Sequence, residues 1–138
     1  MERSIIIVTR DAQFRDAIEL VCSGQGHRVE TADSVAVALG VAVRKPIFVM
    51  VADVSLHVPG DGVELAKVLH DLNPDVQCFL VVDKKSADVA TSADSEPWLR
   101  FIHKPIPMLR FSADLVEVIH ESCGCCDFRI QFWTANFH

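Results

Sequence analysis

The sequence predicts an α/β domain built on one five-stranded parallel sheet with helices on both faces. Three observations carry this. Five short β-type runs alternate with five stretches of helical periodicity. The strongest runs, 4–8 (SIIIV), 47–52 (IFVMVA) and 76–82 (VQCFLVV), are apolar almost throughout instead of at every second position. Turn signals separate the segments. A strand without alternation is buried on both faces, and parallel neighbours need crossover connections, which helices supply.

Each element has a local reason. Asp11 is placed to cap a helix over 12–23, where Phe14, Ala17, Ile18, Val21 and Cys22 recur at three- and four-residue steps. Gly24-Gln25-Gly26 breaks it, and 27–31 (HRVET) reads as a short strand. Asp33 or Ser34 caps 35–44, where valines at 35, 37, 41 and 43 also fit a strand; length, the alanines and Lys45-Pro46 as a stop favour helix. After the run ending at Asp53, a loop holds Pro59, Gly60 and Gly62. A helix follows over 63–72, with Val63, Ala66, Leu69, Leu65, Val68 and Leu72 inward. Asn73-Pro74-Asp75 is a turn. A short helix of small residues covers 86–93, a last strand 98–103 (WLRFIH), and a closing helix 108–121 packs through Leu109, Leu115, Val116, Val118 and Ile119. This makes residues 1–121 one domain and 122–138 a tail containing cysteines and aromatics.

Composition narrows the function classes. A chain of 138 residues with half of them apolar can bury a full core. The net charge of -6 offers no basic face for nucleic acid. No apolar run is long enough for a membrane span or signal peptide, so the expected location is cytoplasmic. Cys22 and Cys78 lie in apolar segments as small buried hydrophobes, and no disulfide framework is expected.

In an open parallel sheet, chemistry gathers where strands end and loops leave. Here those positions are Thr9, Arg10 and Asp11; Asp53; Asp83; and Lys104-Pro105. A carboxylate directly after six apolar residues needs a partner, because an unpartnered charge is costly to desolvate. Lys104 is the natural candidate, either in a buried salt bridge that orders loops or in a functional site.

Together, IIIV with Asp11 three residues on, FVMVAD ending at Asp53 with Pro59 and Asp61-Gly62 after it, FLVV at 79–82 and FIHKP at 101–105 carry a resemblance. In order and spacing over residues 4–121 the chain resembles the CheY-like receiver domains of two-component response regulators. The resemblance implies that Asp53 is the phosphoacceptor, its carboxylate attacking a phosphoryl group to give an acyl phosphate. The donor would be a histidine kinase or phosphotransfer protein. It implies that Lys104 pairs with Asp53 and then with phosphoryl oxygens. Pro105 would follow a cis bond, the Ser55 carbonyl would help hold Mg²⁺, and Phe101 would be the switch aromatic. Output would pass through protein contacts to a separate partner, unless the chain is a fragment of something longer, and the last helix with the short helix before it would serve as a dimer surface.

Three departures reshape that expectation. Thr9 and Arg10 stand where two acidic residues would hold Mg²⁺, and an arginine repels a dication. If Arg10 reaches Asp53, the gross Coulomb attraction near a surface is on the order of 4 kcal/mol and stands in for the metal. A rescued metal site would use Asp11, Asp53 and Ser55, although a helix cap is the other role for Asp11. Asp83 replaces a hydroxyl residue and would repel a phosphoryl group. The loop SLHVPGDG is one residue longer than usual, which brings His57 near the mouth. The expected site is therefore atypical, either Mg²⁺-independent or phosphorylation-independent as in a pseudo-receiver.

Two readings from other classes stand beside this one. The tail run HESCGCCD, with His120, Cys123, Cys125, Cys126 and Asp127, fits a metal- or redox-sensing protein, against incidental cysteines or packing of Phe128, Phe132 and Trp133. A flavodoxin-like enzyme would need a glycine-bearing phosphate loop after the first strand, and TRDAQF has none.

Overall fold

The computed structural model describes residues 4–92 and 96–123. Its elements run β1 (Ser4–Val8), α1 (Ala12–Ser23), β2 (Arg28–Ala32), α2 (Val35–Ala42), β3 (Ile47–Asp53), α3 (Asp61–Leu72), β4 (Gln77–Val82), a 3-10 turn (Lys84–Ser86), α4 (Ala87–Ser92), β5 (Leu99–His103) and α5 (Met108–Cys123). The strands form one parallel sheet in the order β2-β1-β3-β4-β5. The order reverses between β1 and β3, so the carboxyl ends of these two central strands face one crevice.

The continuous apolar runs occupy the middle of the sheet, as their composition requires. In β1, Ile5 and Ile7 face α1 and α5, while Ile6 and Val8 face α2 and α3. A register shift between Ser4 and Ile5 lets both Phe48 and Val49 of β3 join the α1/α5 side. That side is closed by Ile18 and Cys22 of α1 with Phe111, Leu115 and Ile119 of α5. Phe79 of β4 meets Phe111 edge-on at 5.5 Å between ring centroids. On the other face, Ala38 and Val41 of α2 and Leu65, Ala66 and Leu69 of α3 cover Met50, Ala52 and Leu80.

Several expectations needed correction. β2 sits one residue later than 27–31, and α3 begins two residues earlier than 63. Val68 and Leu72 do not point inward; they are 40% and 56% exposed. Leu109 is almost fully exposed, and Phe111 fills the core instead. The cause is geometric, because a helix has several apolar stripes one residue apart and only the docked face chooses between them. The segment 35–42 is helical despite its alternating valines. Ser34 caps it, its hydroxyl accepting from the Val37 N–H at 3.2 Å. α5 runs two residues past the expected boundary at 121. Cys125, Cys126, Asp127 and the rest of 124–138 lie outside the described residues.

Candidate functional site

The crevice begins with Thr9, the residue after β1. It is 2% exposed, and its Oγ1 donates to Asp53 Oδ2 at 2.8 Å while accepting from the Asp11 N–H at 3.1 Å. The Arg10 backbone N–H donates to the same Asp53 oxygen at 3.4 Å. The Arg10 guanidinium does not reach Asp53; its Nη1 donates to the Leu56 carbonyl at 3.2 Å. Asp11 caps α1, with Oδ1 accepting from Gln13 N and Phe14 N at 3.1 and 3.2 Å.

Asp53 ends β3 at the moment the strand leaves the core. Burial raises its pKa above the ordinary carboxylate value. The Thr9 hydroxyl, the Arg10 N–H and the Lys104 charge oppose that rise, and the Asp11 charge adds to it. A raised folded-state pKa means that the ionised carboxylate weakens the fold. That cost is absent below the unfolded value of about 3.9 and grows as pH rises through the folded value. Asp53→Asn is therefore expected to be more stable than the parent at neutral pH. The gain should fade to nothing in acid, read by urea melts at both pH values.

The loop after Asp53 is organised by Asp61. Its carboxylate accepts from the backbone N–H groups of Leu56, His57 and Val58 at 2.6, 3.0 and 3.1 Å. Burial alone would raise its pKa, but these three donors and the nearby His57 charge outweigh burial and hold it below the usual range. A depressed pKa contributes stability that is present above the unfolded value and lost as pH falls through the folded one. Asp61→Ala should cost about 1–2 kcal/mol at neutral pH, comparable to losing a strong cap. The deficit should shrink in acid, measured by chemical denaturation.

Across the crevice, Asp53, Ser55, Val81, Asp83, Ser86 and Lys104 line a small cleft of about 50 Å³. The structure takes Asp83 into a capping box. Ser86 N and Oγ donate to Asp83 Oδ1 at 2.9 and 2.7 Å, and Ser86 Oγ accepts from the Asp83 N–H. The Ser86 hydroxyl bond leads the influences that lower the Asp83 pKa, with Lys104 contributing. Lys104 is seated by its N–H on the Val82 carbonyl at 2.9 Å, and the Lys104-Pro105 bond is cis. β4 lies between β3 and β5, so Lys104 acts on Asp53 and Asp83 through its field. Among the described residues, neither carboxylate holds it in a hydrogen bond or ion pair. Phe101 is half-buried on the α3/α4 side of β5. His57 lies exposed, its Nε2 3.2 Å from the Asp33 carbonyl, and it does not line the cleft.

The residues present do not fit a receiver's Mg²⁺. Asp11 is committed to its helix cap, one Asp53 oxygen accepts from Thr9 and Arg10, and the Leu56 carbonyl already takes a guanidinium. Among the described residues, no three metal-ligating side chains gather. A hard dication needs several convergent oxygens, and here a hydroxyl and a guanidinium side chain stand where two carboxylates would supply them. Sequence reading did not assign roles to Ser86 and Gly62. The D-x-x-S spacing of a capping box was the signal for the first. The second rests on the close approach of the first turn of α3 to the end of β3, where a Cβ on Gly62 would lie 1.9 Å from the Asp53 carbonyl oxygen, which only tertiary structure reveals.

No protein-family model matches the chain. Over 119 residues it is 27% identical to the photosynthetic apparatus regulatory protein RegA of Cereibacter sphaeroides, covering 86% of this chain and 60% of that regulator's length. Among solved structures, it is similar to a two-component transcriptional regulator AraC from Clostridium phytofermentans. That match has a TM-score of 0.74 and 20% identity, and covers 90% of this chain and 97% of the other. A CheY-like response regulator receiver domain protein from Methanospirillum hungatei gives a TM-score of 0.68 at 20% identity, covering 88% and 97%. Strand order, the crevice and these likenesses together give the chain the fold of CheY-like response-regulator receiver domains.

Proposed function

We propose that the chain is a receiver-type module of two-component signalling that acts through protein contacts, not as a metabolic catalyst, and whose Asp53 site works without Mg²⁺. Its partners in this reading are a histidine kinase or phosphotransfer protein on the input side and an output protein, in the cytoplasm. Among the described residues, no helix is long and apolar enough to cross a membrane. The observation that supports the reading best is the engagement of Asp53. It occupies the strand end expected for a phosphoacceptor, beside Lys104, yet one of its oxygens accepts from both Thr9 and Arg10.

In that arrangement the two donors and the field of Lys104 hold the carboxylate as a cation otherwise would. The Arg10 guanidinium ties the loop after β3 to the loop after β1 through Leu56. The signalling conformation is then set by protein donors, and phosphorylation is not needed to hold it.

The test is incubation of purified protein with acetyl phosphate, and separately with beryllofluoride, each with and without Mg²⁺. Intact mass and crevice-residue NMR shifts are the readouts. The expected result is no Mg²⁺-dependent modification. Covalent phosphorylation that requires Mg²⁺ and disappears in Asp53→Asn would sink the metal-free reading while supporting an ordinary receiver.

A further inference from the structure

At the edge of the sheet opposite the crevice lies a groove of about 810 Å³. The ends of α2 and α3 wall it through Ala42 and Leu72. Ile47 and Phe48 at the start of β3 form its floor, and Glu121 of α5 closes one side. This is the size of a site that encloses two or three large side chains, by the roughly 300–1,000 Å³ typical of ligand pockets. We propose that this groove is the docking site of the chain's own C-terminal segment, residues 124–138.

Four observations converge on that occupant. α5 ends at Cys123, two residues beyond the groove-lining Glu121, so the segment leaves the domain at the groove's rim. Phe128 lies five residues further on, within a reach of at most about 17 Å. The segment carries Phe128, Ile130, Phe132, Trp133 and Phe137, a composition too apolar for a solvated tail. At the groove, Leu72 is 56% exposed, and Val43, next to the lining residue Ala42, is 72% exposed. These are apolar surfaces with the chemistry such side chains cover.

Charge bears on how the segment would lie in the groove. Asp75 and Glu121 line the groove, whereas its lysine, Lys45, is paired with Glu30. The segment carries one acidic residue, Asp127, and one Lys or Arg, Arg129, which stands between Phe128 and Ile130. Anchoring by these apolar residues with Arg129 toward the acidic rim would tie the end of α5 to the ends of α2 and α3, on the side away from Asp53.

The chain's two tryptophans make the test direct. Trp98 stacks on His70 with ring centroids 4.1 Å apart, and Trp98→Phe preserves an aromatic there. It leaves Trp133 as the sole indole reporter in the full-length chain. The expected result is blue-shifted Trp133 emission with several-fold weaker acrylamide quenching than a free indole, unchanged on dilution. Leu72→Glu in that background should abolish the protection. Glu121→Arg should weaken it, and Arg129→Glu added to Glu121→Arg should restore it. Leu72 and Glu121 are at the surface, so circular dichroism should show the fold intact in each variant. Trp133 fully open to quencher, or protection indifferent to both groove substitutions, overturns the proposal. Protection lost on dilution also overturns it, because it assigns the groove to the tail of a second copy.

Discussion

Gly62→Ala is expected to be among the most damaging single substitutions in the domain. A methyl group on Gly62 would lie 1.9 Å from the Asp53 carbonyl oxygen and 2.8 Å from that of Val54. Both are backbone atoms of the β3 end, and neither can rotate away as a side chain could. Gly62 N also donates to the Val54 carbonyl at 2.9 Å, so moving α3 outward would break this bond too. Overpacking in a tight interior typically costs 1–3 kcal/mol, and rigid backbone on the other side puts this case at about 3 kcal/mol or more. Urea denaturation should show the loss, and the NMR shifts of Thr9 and Arg10 should move because the displaced backbone carries Asp53. A variant of near-parental stability would mean that α3 has slack at its first turn.

The second large effect is a gain. Thr9→Asp combined with Arg10→Asp should create a Mg²⁺ site at the β1 end. The double variant removes the Thr9 hydroxyl from Asp53 and frees the Leu56 carbonyl from the guanidinium. It also brings two new carboxylates to the β1 end beside Asp53. Without metal, like charges repel and a charge-assisted hydrogen bond is lost, so stability should fall by about 2 kcal/mol. With Mg²⁺ at a hundredfold excess over its dissociation constant, binding should return about 2.7 kcal/mol, seen as a rise in Tm that the parent does not show. Beryllofluoride uptake should then become Mg²⁺-dependent. A parent that already gains Tm with Mg²⁺ would show that Thr9 and Arg10 do not keep the ion out.

The legibility of the site differs residue by residue. Asp53, Asp83 and Lys104 are visible as positions because a polar residue closing an apolar strand marks the edge of a sheet, and all three line one cleft. Their partners were less visible. Whether the Arg10 guanidinium reaches Asp53 was open in the sequence; the structure gives that place to the buried Thr9 hydroxyl and sends the guanidinium to Leu56. A flexible cation on the loop beside the carboxylate has several acceptors within reach, and linear spacing does not rank them. Asp11 followed its local rule and capped α1, because capping depends only on the next three residues.

By itself, the sequence determined the alternation of strand and helix, the burial of the central strands and the crevice as the place for chemistry. Those properties follow from hydrophobic period and turn residues, which act over a few positions. Only the tertiary structure decided which helix stripe faces inward, as at Leu72 and Leu109. It also decided which oxygens remain open around Asp53 and how closely Gly62 approaches the β3 backbone. The reason is that donors and acceptors distant in the chain compete for the same space. The outcome is set by the distances the packed sheet and helices impose, not by the order of residues.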